Sequence, residues 1–254
     1  ILDQDKMISM TASDALKINL ISHDVTAYAL SKFMTFLLSL GIESSKIRFR
    51  KLYQDKAFYA EEAFDAEVQK GDEWVEVAAC NYRGDYDLSS YEKLGADIIK
   101  INGKIPKIFE LSAGADRIFY IVLYNSLRQD KERTWLSLKY RLAPYRAALF
   151  PLLSKEELEK LSESILNKSK YKDEIYYLYN GSIGKRYRKS DEVGIPLAFT
   201  VDYQTLEDST VTVRDRDTME QFRIKIDDID NLIEMSKYQD FSSLKNKFSY
   251  SSAT

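Results

Sequence analysis

The chain has 254 residues, 44% hydrophobic and 30% charged, which is enough for one large or two medium globular domains with a real core. Lys and Arg number 37 and Asp and Glu 40, a net charge of −3, which argues against nucleic-acid binding by bulk positive charge but leaves room for a local basic face. One cysteine, Cys80, excludes a disulfide framework and a cysteine-based zinc site and points to a reducing compartment, while one histidine, His23, excludes His-rich metal centres and weakens any Ser-His or Cys-His hydrolase reading.

No run approaches the roughly 18 apolar residues of a membrane helix, and no basic-then-apolar leader opens the chain. Neither a membrane span nor a secretion signal is expected, and the expected location is cytoplasmic. Because the first residue is Ile1 rather than Met, the numbering is expected to start inside a longer polypeptide.

Residues 1–23 carry no clear pattern. From Asp24 to Leu40 apolar residues recur at helical spacing (Val25, Tyr28, Ala29, Phe33, Phe36, Leu37, Leu40), and Gly41 stands where a C-cap belongs. Two-residue alternation then predicts three strands, around Ile47–Lys51, Phe58–Ala66 and Trp74–Cys80, separated by turn residues, hence an antiparallel sheet. In that alternation Glu76 shares a face with Trp74 and Ala78. Tyr82–Lys104 reads as loops. A strand over Ile105–Leu111, a turn at Ser112–Asp116 and a helix over Arg117–Leu127 follow, with Ile118, Ile121, Val122 and Tyr124 for packing.

The charged stretch Arg128–Arg133 reads as a domain boundary, dividing the chain into 1–135 and 136–254. Beyond it strands are predicted at 146–150, 175–179, 197–202, 210–214 and 222–226. Helices are predicted at 155–168, opened by a capping box of Ser154 and Glu157, and at 184–192 and about 227–238. The last sixteen residues, rich in Ser and Lys, read as a frayed tail. Strands alternating with helices argue for a sheet covered by helices, so the fold class expected overall is α+β.

Lys185, Arg186, Arg188 and Lys189 surround Tyr187. A basic cluster with an aromatic suits RNA, whose phosphates want charge and whose unstacked bases want a π-face; a solvated helix face flanked by Asp191 and Glu192 is the bland alternative. The chain has no GxxxxGK[ST], GxGxxG, HExxH or GxSxG, so any nucleotide site is neither a P-loop nor a Rossmann site. What remains is a set of carboxylates and arginines in the first half. Glu67 closes a strand, Glu76 lies mid-strand among apolar neighbours, Glu110 ends a strand, and Asp65 and Arg83 are near in sequence. A half-buried Glu76 is satisfied either by a salt bridge or by an ammonium group or Mg²⁺, which takes hard oxygen ligands. Arg117, in the first turn of a helix, has the wrong charge for the macrodipole and would suit an anion such as a phosphate.

Taken together these segments are far more specific than their parts. Ile108-Phe-Glu-Leu-Ser-Ala-Gly-Ala-Asp-Arg117 before an apolar helix resembles motif 3 of class II aminoacyl-tRNA synthetases in its glycyl form, and Trp74–Leu88 resembles the W-[VI]-E-[VIL]-x-G-x-A-x-R block of that family. Gly41–Arg50 and Phe64-Asp-Ala-Glu67 are similar to its G-I-x-x-x-K-[IL]-R-F-R and W-D-A-E segments. Leu142–Arg146, Gly181–Pro196 and Thr210–Met219 resemble its anticodon-binding domain. The resemblance covers roughly residues 25–235.

The resemblance implies a C-terminal part of a class II catalytic domain followed by an anticodon-binding domain. The activity it implies is that of a glycine–tRNA ligase, with ATP as substrate, Mg²⁺ as cofactor, glycine and tRNA(Gly) as partners and a homodimer as the full-length form. Position by position, Arg117 would hold the ATP phosphates together with Gly114 and Glu76. Glu110 and Ser112 would bind the glycine ammonium and Arg83 its carboxylate, which makes Glu110, Arg117 and Arg83 the catalytic set. Glu67 and Glu76 would complete an acidic wall, with Glu76 and Glu110 as candidate Mg²⁺ ligands. Lys185, Arg186, Arg188, Arg214 and Arg216 would contact tRNA, unless Arg214 and Arg216 form exposed cross-strand pairs with Asp215 and Asp217.

The chain also departs from the pattern. Leu111 replaces a proline, Ala79 a glycine, Asn81-Tyr82 an Ala followed by Asp or Asn, and Phe58 a histidine, all around the amino-acid pocket. Motif 1 and the motif 2 arginine are not found in residues 1–40, so ATP activation by this segment alone is expected to be very weak. A second reading, from a different class, is a non-enzymatic nucleic-acid-binding protein on the same scaffold, comparable to the accessory subunit of the mitochondrial DNA polymerase. A third is a plain interaction module.

Overall fold

A computed structural model describes residues 1–98 and 100–250. The chain divides into two compact units, Ile1–Asn125 and Ser126–Thr254. The charged stretch at 128–133, expected to mark the boundary, falls just past the division. It lies inside the second unit, in a hairpin of β7 (Leu127–Gln129) and β8 (Thr134–Leu136).

The first unit is built on a six-stranded sheet. Its strands are β1 (Leu2–Asp3), β2 (Lys6–Met7), β3 (Ile47–Leu52), β4 (Glu62–Lys70), β5 (Glu73–Gly84) and β6 (Ile108–Ala113), in the order β2-β1-β3-β4-β5-β6. All pairings are antiparallel except β1 with β3. One face packs on α2 (Asp24–Ser39), which follows the short α1 (Ala12–Lys17), and on α4 (Ala115–Ser126), burying Phe33, Leu37, Ala66, Val68, Val77, Ala78 and Ile121 together. α2 ends as its sequence announces. Gly41 takes φ +91°, its N–H reaches the Leu38 carbonyl, and the Ile42 N–H reaches that of Leu37, the paired closure of a Schellman motif.

Two predicted features differ here. The strand expected from Phe58 begins only at Glu62, because 57–60 fold back and pack Ala57 and Ala60 on Ala63. The loop expected over Tyr82–Lys104 is partly regular: β5 runs on to Gly84 and α3 spans Tyr86–Lys93, while Ile99 lies outside the described residues. Tyr124, expected in the core, is 42% exposed.

The larger surprise is a slip of register. Ala66 faces Ala78 across the ladder but Glu67 faces Glu76, so Val77 is an extra, bulged residue on β5. Strict alternation from Trp74 therefore fails. Ala78 and Cys80 turn into the core, and Trp74 and Glu76 share the opposite face with Ala79, Asn81 and Arg83.

The second unit carries β9 (Ala147–Pro151), β10 (Ile175–Tyr177), β11 (Leu197–Val201), β12 (Thr210–Asp215) and β13 (Gln221–Lys225) in the order β10-β9-β11-β12-β13. β10, β9 and β11 are parallel, and β12 and β13 add antiparallel. Crossover helices α5 (Glu156–Lys168) and α6 (Ile183–Val193) join the parallel strands, as such pairs require. α7 (Tyr203–Asp208) and α8 (Ile229–Met235) follow.

The capping box expected at α5 does not form, since Ser154 Oγ instead donates to the Tyr179 carbonyl at 3.0 Å. A true box stands at α7, where Asp202 and Thr205 exchange bonds. The expected frayed tail holds a helix, α9 (Phe241–Phe248), because Phe241 and Leu244 bury against Phe222 and the rest of this core; residues 251–254 lie outside the described residues. Among the described residues no helix is long and apolar enough to cross a membrane.

Candidate active site

The face of the first sheet turned away from α2 and α4 is lined by charge. Register explains how. Arg48 and Arg50 on β3 lie directly across from Glu67 and Asp65 on the central strand β4. Arg48 Nε donates to Glu67 Oε2 at 2.6 Å, and Arg50 Nη2 reaches Asp65 Oδ2 at 2.8 Å and Glu67 Oε1 at 3.1 Å. Both carboxylates are buried, Glu67 at 3% exposure, and the pairing is what makes that burial tolerable. Arg48 also stacks over Trp74, its guanidinium carbon 4.0 Å from the ring centre. Glu67 was expected to close a strand and bind substrate. It sits mid-strand instead, with both carboxylate oxygens already taken by arginines.

Next along this face, Arg83 holds Asp87 at the start of α3 through two bonds, at 2.5 and 2.6 Å, and Glu110 on β6 through a third, at 2.8 Å. Its guanidinium lies over the Tyr59 ring at 4.5 Å. The Asp87 bonds hold the Arg83 charge in place well above ordinary guanidinium behaviour, and reciprocally hold the Asp87 carboxyl below its usual range. Gly84 makes the turn possible. It takes φ +60°, and a Cβ there would overlap the Glu61 carboxylate.

Ser112 lies across from Ala79 and is exposed, and Glu110 lies across from Asn81 and is 38% exposed. The Gly114 N–H donates to the carbonyl of the bulged Val77 at 2.9 Å, fixing the start of α4. From the first turn of α4, Arg117 reaches back to Glu76, 3.1 Å to its carbonyl and 3.3 Å to Oε1. Both side chains are half-exposed, so this pair is weak and free to part.

Glu76, Arg83, Glu110, Ser112 and the tip of Arg117 thus share one accessible face, with Glu67 buried beneath it. Tyr82 turns to the other face and stacks on His23 at 3.7 Å. Among the described residues no three His, Cys, Asp or Glu side chains converge as a metal site, and Glu76 and Glu110 each give an oxygen to an arginine. A hollow of about 620 Å³ lies at the β3 edge instead, lined mainly by apolar groups such as Met10, Leu30 and Met34. No acid lines it, and of the acid–arginine pairs only Arg48 reaches it.

Sequence reasoning missed Arg48, Arg50 and Asp87 as members of this face. The Arg-x-Arg of β3 against the Asp-x-Glu of β4 was a legible signal for cross-strand pairing. Asn81 was marked in the sequence as a departure from the family pattern at the amino-acid pocket, though not as a ligand.

In the second unit the basic residues fall into two groups. Lys185, Arg188 and Lys189 are exposed on α6. Arg186, Arg214 and Arg216 are interior, which corrects the expectation that they meet tRNA. Arg186 donates to the Pro151 and Leu152 carbonyls. Arg214 grips Asp191 with two bonds, at 3.0 and 3.1 Å. Arg216 donates to the carbonyls of Gly194 and Leu138, both at 2.8 Å, and to Asp217 at 2.7 Å. Nor do Arg214 and Arg216 form exposed cross-strand pairs. Their positions on β12 and just past its end point inward, and Arg133 joins Arg214 on Asp191 at 2.8 Å.

Residues 147–235, from the first residue of β9 to the last of α8, match the anticodon binding domain family. The chain is 31% identical to a glycine–tRNA ligase of Methanocaldococcus jannaschii over 89% of its own length and 55% of the relative's. For that of Pyrococcus furiosus the figures are 32%, 88% and 54%, and for that of Borrelia hermsii 37%, 76% and 47%. The chain is a relative of the glycine–tRNA ligases. It spans about half the length of the curated relatives it matches. The α+β fold, with a synthetase-like antiparallel sheet followed by an anticodon-binding domain, agrees with that kinship.

Proposed function

We propose that the polypeptide carrying this chain is a glycine–tRNA ligase. Its first unit contributes part of the catalytic domain, and its second the anticodon-binding domain. The observation that carries the reading is the arrangement of Glu76, Arg83, Glu110, Ser112 and Arg117 on one sheet face of a chain related to these ligases.

In this reading glycine enters the Arg83–Glu110 pair as a zwitterion. Its carboxylate takes the Arg83 nitrogen now given to Glu110, and its ammonium takes the released Glu110 oxygen and Ser112. Arg117 leaves Glu76 for the phosphates of ATP at the start of α4, beside Gly114. One carboxylate oxygen of glycine attacks the α-phosphorus and pyrophosphate departs, giving glycyl-adenylate. The 3′-terminal hydroxyl of tRNA then takes the glycyl group and AMP leaves. No protein nucleophile is needed. The work is positioning and charge stabilisation. Mg²⁺ would arrive with ATP, and the half-exposed carboxylates of Glu76 and Glu110 are hard oxygen donors of the kind it accepts. Lys185 and Arg188 would meet tRNA from α6. A cytoplasmic homodimer is the setting that fits this activity.

The test is ATP–pyrophosphate exchange by the whole polypeptide across the amino acids, together with its Glu110→Ala and Arg117→Ala variants. Exchange stimulated by glycine and abolished in both variants is expected. Exchange driven only by another amino acid would sink the proposal.

A further inference from the structure

Asn81 stands mid-strand on β5, on the face that carries Arg83 and Glu110, directly between Ala63 of β4 and Glu110 of β6. It is 3% exposed, and its Oδ1 is buried without a hydrogen-bond partner. A buried amide oxygen in that state costs folding free energy that no described neighbour returns. Its surroundings suit a cation: Asp65 lies one position diagonal on β4, Glu110 across on β6, and small residues (Ala63, Ala79) keep the floor low.

We propose that Asn81 is an amino-acid-binding residue whose Oδ1 accepts a hydrogen bond from the ammonium group of the substrate. This rests on the ligase reading above and deepens it. The synthetase motif this segment resembles has alanine at this position. A chain bearing asparagine there thus gains one acceptor and loses the volume its amide occupies, so the site both holds the ammonium more tightly and admits less beyond it. Asn81 in this role sets affinity and size selection together, without taking part in bond making.

The test titrates the full chain, and Asn81→Ala and Asn81→Asp variants, with glycine and with L-alanine by ligand-observed NMR, and compares their thermal melts. For Asn81→Ala the expected loss in glycine affinity is about tenfold, the worth of one hydrogen bond to a charged group, with a smaller preference for glycine over alanine. Its melting temperature should be equal or higher, since an unsatisfied buried group is gone. Asn81→Asp, which keeps an acceptor in place, should bind glycine within about threefold of wild type.

Unchanged glycine affinity in Asn81→Ala overturns the inference and leaves the ligase reading intact. So does a weaker affinity accompanied by a drop in melting temperature of several degrees, which marks a structural residue. If Asn81→Ala fails to fold, loss of glycine binding in a folded Asn81→Asp overturns it. A wild-type chain that binds no glycine removes the ligase reading and this inference with it.

Discussion

Asp87 grips Arg83 side-on, two oxygens to Nε and Nη2 at 2.5 and 2.6 Å, and leaves the third nitrogen of the guanidinium for Glu110. The helix start at α3 therefore aims an arginine that belongs to the sheet. Asp87→Asn would keep the shape and drop the charge, so Arg83 should wander. Glycine binding is expected to weaken about tenfold while stability changes by under ~1 kcal/mol, since the pair is partly solvated. Acid should mimic the substitution. The folded carboxyl is held below its usual range by Arg83, so its contribution is present above about pH 4 and lost as pH falls through the lower folded value. Glycine affinity measured from pH 7 down to 3 should fall more in wild type than in Asp87→Asn.

Arg117 is 57% exposed and its tie to Glu76 is loose. Arg117→Ala should leave the melting temperature within about two degrees of wild type. ATP affinity, measured by calorimetry, should drop by about ten- to a hundredfold if this side chain grips phosphate.

Asp191 is buried under two guanidiniums, those of Arg133 and Arg214. Asp191→Ala strands both cations in the interior. Urea unfolding of the second unit should show a loss of about 3–5 kcal/mol. Arg216→Ala should behave alike, for its partners are two backbone carbonyls and Asp217, and its effect on tRNA should follow unfolding alone.

Lys185, Arg188 and Lys189 offer the opposite profile. Replacing all three by Ala should leave unfolding unchanged while tRNA binding weakens uniformly across sequences. The slope of log affinity against log salt should shrink by about one per lost phosphate contact.

Cys80 is fully buried against Phe64, and burial, aided by the Asp65 charge, pushes its thiol up to about 12. The unfolded thiol ionises near ~8.5, so the folded chain keeps a proton the unfolded one loses. Its contribution is complete below that value and disappears as pH rises towards 12. With one cysteine in the chain, alkylation by iodoacetamide at pH 8–9 should be silent in the native protein and rapid in urea.

Much of this was readable in the residues. α2 was fixed by Leu37 and its helical companions and ended by Gly41, and the parallel strands of the second unit by their apolar runs. Glu110, Ser112 and Arg117 were placed correctly on one strand–turn–helix unit, since the turn is local. What escaped was non-local. Cys80 and Ala78 face the core only because Val77 adds a step, and no residue type announces that. Arg186, Arg214 and Arg216 looked like surface charge because the carbonyls and Asp191 that accept their bonds come from distant segments. α9 was hidden because its Ser and Lys face solvent while two residues, Phe241 and Leu244, do the anchoring.

The single surplus step at Val77 makes pairing register, rather than composition, the guardian of the acidic face. Were Val77 drawn into the ladder as a paired residue, Trp74 and Glu76 would rotate beneath the sheet and Glu76 would leave the reach of Arg117, although every acid and arginine would still be present in order. A homologue that paired every residue of this strand would pass any motif search and yet be unable to assemble the face.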